Sequence, residues 1–236
     1  GAGARGGGAG RARLWWRSAI PSGRGLGFSG AARVAGAYLA LRLAEVDPTQ
    51  ARAGAFVTAA SLEGHGDNAA ASAFGGVVAT AAGKGVPVRV TVDPRIVAWS
   101  PSSSTSTDAS RGRLPVEVPF ADAVANVGHA ALLVAALAVG DWAAMAVAVG
   151  DRLHQPTRLA AAPASAAVLE RLRTVGPGVA WLSGSGPTVA ALVPTALVDE
   201  AVAAAGAAAA DPDGDPVGTV RVLEVDRAGV VEVAST

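Results

Sequence analysis

Apolar positions recur at three- and four-residue spacing in some stretches and run together in short blocks in others, so the chain reads as mixed helix and strand. Val34, Tyr38 and Leu41 fall at i, i+4 and i+7, which predicts a helix over 29–45 with one buried stripe and Ser29 as an N-cap type. A second helix, 47–62, opens on a capping-box pattern, with Asp47 as N-cap, Pro48 at N1 and Gln50 at N3. It ends in "EGHGDN". Further helices are expected over 120–139, 141–153, 164–174 and 196–209. Apolar blocks bounded by Gly, Pro and Asp predict strands over 14–20, 75–80, 86–92, 95–99, 179–182 and 189–193, and two more ending at Val233.

From Arg95 onward the order is strand, helices, strand, strand, helix, strand, the split β-α-β pattern of a ferredoxin-like domain. The first part is mixed α/β. The boundary is placed near Asp93, giving regions 14–92 and 93–236. Residues 1–13, "GAGARGGGAGRAR", are low in complexity, cannot pack a core, and read as a disordered leader or a truncation scar.

Composition narrows the chemistry. The 236 residues are 51% hydrophobic and 16% charged, ample for a core, and the net charge is zero. That balance argues against a nucleic-acid or membrane-surface partner, since both call for a basic face. Cysteine is absent, which excludes disulfides and thiolate metal sites. Three histidines, His65, His129 and His154, are too few to suggest a histidine-only metal site. No uncharged run reaches the roughly 18 apolar residues of a membrane span, and the N-terminus lacks a signal-peptide layout, so the expected location is the cytoplasm.

The segment "IPSGRGLGFSGAA", 20–32, carries four glycines just before the first predicted helix, a layout that lets backbone approach a phosphate. A P-loop is ruled out: around Lys84, the only lysine, Val78 replaces the first Gly and Gly85 the Ser/Thr. The dinucleotide fingerprint G-x-G-x-x-G is matched by Gly25, Gly27 and Gly30, with Glu45 and Asp47 near the spacing of the ribose acid. Its context does not fit, because Pro21, Ser22 and Arg24 intervene after the strand and Asp47 starts a helix.

The segment also resembles the ATP loop P-x-x-x-G-L-G-S-S-A-A of the GHMP small-molecule kinases. Other segments follow in family order. "LEGHGDNAAASAFGG", 62–76, resembles the E-G-H-x-D-N segment of homoserine kinases. "STDASRGRLP" and "DRLHQPTR" are similar to T-x-x-x-R-x-x-L-P and D-x-x-H-x-P-x-R, and "LSGSGPTVAAL", 182–192, resembles the third GHMP motif. The chain is thereby identified as a member of the homoserine kinases, with a two-domain α/β (α+β) GHMP fold. The resemblance implies transfer of the ATP γ-phosphoryl to the side-chain hydroxyl of L-homoserine in threonine biosynthesis.

It also implies residue roles. Pro21, Gly23, Arg24, Gly25, Leu26, Gly27, Ser29 and Gly30 would form the first ATP loop, and Ser183, Gly184, Ser185 and Gly186 the second glycine turn. Ser29 and Glu63 would ligate Mg²⁺, which takes few protein carboxylates beside phosphate and water oxygens. His65 and Asp67 would lie at the homoserine pocket, with Asp67 on the substrate ammonium and the one candidate base. Thr107, Arg111 and Arg158 would hold the other end of homoserine and its carboxylate, for which the arginine fork is suited; Arg113 is an alternative to Arg111. Asn68 is expected to cap the turn after "EGHGD".

Three departures stand out. Phe28 replaces the first Ser of the loop and Gly30 an Ala, and His129 stands where the family carries arginine. The family's first motif, with an Asn and an Asp on homoserine, has no counterpart, so the chain is expected to be a fragment whose first sheet has an open edge. A non-catalytic nucleotide-binding remnant and a kinase of another small alcohol are the alternatives. A homodimer is the assembly considered.

Overall fold

The computed structural model describes residues 15–102, 112, 114–207 and 218–233. Its first half is helical. Helix α1, Phe28–Leu43, buries Val34 and Tyr38 of the predicted stripe together with Gly30, and Leu41, the third predicted member, packs partly buried against the same core. Its N-cap is Gly27, not Ser29: the left-handed Gly27 (φ 75°) turns the chain into the helix one residue early and leaves Ser29 in the first turn. Helix α2, Pro48–Glu63, starts where Asp47 accepts from the backbone N–H groups of Thr49 and Gln50, and stops at left-handed Gly64. Helix α3, Asp67–Phe74, follows. Alanines 51, 55, 59, 69, 70 and 73 are buried between these helices with Phe56, and small side chains let the three axes approach closely.

Strands β1, Val77–Ala81, and β2, Lys84–Val88, form an antiparallel hairpin closed by two residues, Ala82 and Gly83, both at positive φ. That turn is tighter than the expected "AAGKG" loop and places Lys84 inside β2. Among the described residues this sheet has two strands, and Pro87 sits on β2 as an edge strand permits.

The second half is built on β3, Arg95–Pro101, which pairs on both sides. With β4, Ala180–Leu182, β5, Val189–Val193, and β6, Gly218–Leu223, it makes a four-stranded antiparallel sheet in the order β4-β5-β3-β6. That order with the intervening helices is the predicted split β-α-β topology. The helices between β3 and β4 are α4, Phe120–Val139, α5, Trp142–Ala148, α6, Gln155–Ala160, and α7, Pro163–Arg173. A 3₁₀ turn, Thr195–Leu197, and α8, Val198–Ala207, lie between β5 and β6. Trp99, Val97 and Val189 of the sheet bury against Val168, Leu169 and Leu172 of α7 and Ala201 and Ala205 of α8.

Several expectations fail. The described part of 14–20 carries no strand; Trp15 and Trp16 are exposed there. The helix expected over 141–153 ends at Ala148, because the Asp151 carboxylate takes the N–H groups of Leu153, His154 and Gln155 and starts α6 instead. Of the two last strands only β6 is found among the described residues. Helix α4 is long and apolar enough to cross a membrane by length and composition alone, although no such run was expected. Only 11% of its apolar window is buried: Ala136 and Leu137 pack with Met145 and Val179, while Phe120, Val127 and Val139 are exposed.

Candidate active site

The first glycine segment runs between 15–20 and α1, with Gly23, Gly25 and Gly27 all at positive φ. It does not hang free. A Cβ at Gly25 would lie 2.3 Å from the Ser183 carbonyl oxygen and 2.8 Å from that of Gly186. The Ser183 hydroxyl donates to the Gly25 carbonyl at 2.8 Å. The two glycine turns expected to meet at phosphate therefore meet each other, backbone to backbone. Arg24 donates to the carbonyls of Pro101 and Ser102, the latter at 2.7 Å, and so pins the segment to the end of β3.

The second turn is fixed from behind. Ser165 of α7 donates to the Pro187 carbonyl at 2.6 Å, and buried Ser100 and Thr188 share a hydrogen bond of 2.7 Å. Buried Gln155 accepts from the Leu182 N–H at 2.7 Å and donates to the Val149 carbonyl. That tie sets α6 against β4. Arg158, one turn along α6, consequently reaches the Gly184 carbonyl at 3.0 Å and His154 Nδ1 at 3.1 Å.

Helix α1 points its N-terminus at the same place. Its first intrahelical bond is Ala31 N–H to the Gly27 carbonyl, so the helix itself offers no acceptor to the N–H groups of Phe28, Ser29 and Gly30. With the dipole, that end suits an anion. Gly30 is glycine because α3 crosses here: a Cβ would lie 2.8 Å from Asn68 Cβ. Asn68 is the second residue of α3 and not its cap, and it also faces Gly27.

In the first turn of α1, Ser29 is joined through Arg33 to Glu63, the last residue of α2. Both accept from the same Arg33 Nη1, the Ser29 hydroxyl at 2.6 Å and Glu63 Oε1 at 2.6 Å. The Glu63 side chain is only 3% exposed, and its Oε2 is buried without a hydrogen bond among the described residues. A hydroxyl and a carboxylate converging on one cationic point, with one carboxylate oxygen left over, fit a small hard divalent cation. Among the described residues no group of three His, Asp or Glu side chains could hold a metal on its own. Sequence reading missed Arg33, whose spacing from Ser29 is one helical turn and whose partner Glu63 lies thirty residues away.

His65 Nδ1 and Asp67 Oδ1 lie 2.5 Å apart just beyond α2, and Asp67 is largely exposed. On the facing side, burial pushes the Asp151 carboxyl up, but hydrogen bonds from the backbone of Gln155 and His154 and from Asn126 outweigh it and hold the group below its ordinary value. Burial and the neighbouring Arg158 pull His154 down, against the opposing pull of Asp151. A neutral His154 accepts the Arg158 hydrogen bond at Nδ1 and turns Nε2 toward Asp151 at 3.6 Å.

These parts surround one cleft of about 650 Å³. Pro21, Gly23, Arg24, Gly25, Leu26, Gly27 and Ser29 line it, as do Glu63, His65, Asp67, Arg158, Gly184 and Ser185. Phe28 lines it too, its ring 5.7 Å from that of Trp16. Gly30, Ser183 and Gly186 are not among the lining residues; they hold the wall from behind. Arg33 and His154 are lining residues that sequence reading did not assign to the site. Thr107, Arg111 and Arg113 lie outside the described residues.

Known proteins resemble this chain over most of its length. The family described as "GHMP kinases N terminal domain" matches residues 3–76, and "GHMP kinases C terminal" matches 133–211. The homoserine kinase of Thermus thermophilus is 41% identical over 175 residues, covering 73% of this chain and 59% of that protein. That of Corynebacterium glutamicum is 36% identical over 228 residues, covering 91% and 68%. The crystal structure of the Cytophaga hutchinsonii homoserine kinase superposes with a TM-score of 0.73 at 26% identity, covering 90% of this chain and 69% of that one. The chain spans about 59–62% of the length of the first curated relatives it matches. On both matched halves, on these identities and on the shared fold, the chain belongs to the homoserine kinase family of the GHMP kinases.

Proposed function

We propose that this chain carries the chemistry of its family: transfer of the γ-phosphoryl of ATP to the side-chain hydroxyl of L-homoserine, giving ADP and O-phospho-L-homoserine on the route to threonine. The observation that carries this reading is the convergence, in one cleft, of the open N-terminus of α1, the Ser29–Glu63 pair and the Arg158-bearing wall of the second glycine turn.

Phosphoryl transfer needs positioning and charge neutralisation more than covalent chemistry. The N–H groups of Phe28 and Ser29, with Gly184 and Ser185 opposite, bind the phosphates. Ser29 and Glu63 would hold a Mg²⁺ ion, which supplies positive charge to the phosphate oxygens. Arg158 takes the homoserine carboxylate, and Asp67, kept in place by His65, takes the ammonium. The homoserine oxygen then attacks the γ-phosphorus in line, the bond from that phosphorus to the β-bridging oxygen breaks, and ADP leaves with the electron pair. The hydroxyl proton passes to solvent or phosphate oxygen, so no dedicated base is required. Thr107 and Arg111 are assigned to the same end of homoserine by their motif. The division of the chain near Asp93 is proposed with the function, as is a cytoplasmic location.

Phosphorus NMR of the chain with Mg²⁺, ATP and L-homoserine tests this. A new phosphomonoester signal that appears only with homoserine is expected. ATP binding with no product from homoserine would overturn the reading in favour of a nucleotide-binding remnant. Product with a different alcohol alone would move it to another GHMP substrate.

A further inference from the structure

Arg33 is a cation in the place where the proposed chemistry puts a metal. It sits one turn after Ser29 on the same face of α1, and one nitrogen, Nη1, serves both Ser29 Oγ and Glu63 Oε1 at 2.6 Å each. Glu63 needs such a partner. It is 3% exposed and ends α2, where the helix presents its negative pole. An unpaired buried carboxylate there would be costly. The Arg33 side chain, by contrast, is 40% exposed, so its stem can leave the pair without unpacking a core.

We propose that Arg33 is an internal competitor of the divalent cation. It neutralises Glu63 while the metal is absent and must leave the Ser29–Glu63 pair before a divalent cation can bind there. Two cations on one hydroxyl–carboxylate pair repel each other strongly in a partly buried site. The chain alone therefore binds divalent cations weakly. Nucleotide phosphates, which attract both the metal and the displaced guanidinium, couple metal binding to nucleotide binding. This rests on the reading of Ser29 and Glu63 as the metal pair.

The test is Mn²⁺ binding to the nucleotide-free chain, read from the loss of the free Mn²⁺ electron-paramagnetic signal, with no turnover involved. Arg33→Met removes the competing charge and is expected to tighten Mn²⁺ at least tenfold. Arg33→Lys, which keeps it, is expected to stay near the parent. Arg33→Gln retains a hydrogen-bond donor without the charge, is expected to tighten like Arg33→Met, and serves if the methionine variant folds poorly. The double variant Arg33→Gln/Glu63→Gln is expected to lose the gain. Glu63-dependent binding that is unchanged by neutralising Arg33 overturns the inference and leaves the metal pair standing. Absence of any Glu63-dependent binding in all variants overturns both.

Discussion

The two glycine turns look alike in sequence, and their glycines answer to different demands. In the first, Gly25 is glycine because the carbonyls of Ser183 and Gly186 lie against it, and Gly27 because the chain must enter α1 at positive φ. In the second, Gly184 and Ser185 face the cleft, while Ser183 and Gly186 hold the first turn. Only part of each motif therefore meets ligand. The rest fixes the distance between two backbones 158 residues apart in the chain. A glycine-rich segment is evidence of close approach, and the structure decides whether the visitor is phosphate or protein.

The sharpest way to break this comparison is Gly25→Ala. A positive φ costs about 1–2 kcal/mol for a non-glycine residue, and forcing a methyl into packed backbone adds about 1–3 kcal/mol. Urea unfolding should show a loss of about 3 kcal/mol, with nucleotide affinity falling alongside. Gly36→Ala, where an added Cβ meets nothing within 4 Å, is the control and should gain about 0.5–1 kcal/mol. Wild-type stability in Gly25→Ala would mean the turns do not touch as described.

Next in size is Glu63→Gln, which leaves both turns intact and removes the charge beside them. Turnover should drop roughly 100-fold, as for loss of one charge-stabilising group, with little change in melting. A matching loss of folding would assign Glu63 to structure alone.

Ser183→Ala removes only the hydroxyl tie between the turns. One such hydrogen bond is worth about 1 kcal/mol, so the apparent affinity for ATP should weaken about fivefold. An unchanged affinity would show that backbone packing suffices to hold the turns.

The smallest effect is on pH dependence, through the turn at Asp151 and His154 that leads into α6, the helix carrying Arg158. Asp151 is held below its ordinary value and His154 is also lowered. For both groups the unfolded chain binds more protons, so stability is present above the unfolded values and is lost as pH falls. The loss begins near pH 6.5 for His154, and Asp151 adds to it below about pH 4. Denaturant midpoints measured against pH should show this acid limb, and Asp151→Asn should flatten its lower part. A limb of the same slope in that variant would place the effect elsewhere.

The period of Val34 and Tyr38 made α1 legible, and the order of elements after Arg95 made the second sheet legible, because both are properties of local pattern. The break between α5 and α6 was not legible, since it depends on the Asp151 carboxylate taking three backbone donors in place of the helix. The tight hairpin was missed because Ala82 adopts a conformation that alanine rarely does. At the site, the glycine turns, Glu63 and Arg158 could be placed from their motifs. Arg33 could not, because its meaning lies in a contact between two helices. Nor could the division between glycines that face ligand and glycines that face protein.

The most direct test of the central claim is hydrogen exchange of the chain with and without a non-hydrolysable ATP analogue in the presence of Mg²⁺. The account predicts that amides of 21–30 and 183–186 gain protection together, because both turns wall one nucleotide cleft. Protection confined to one turn, or appearing away from both, would contradict it.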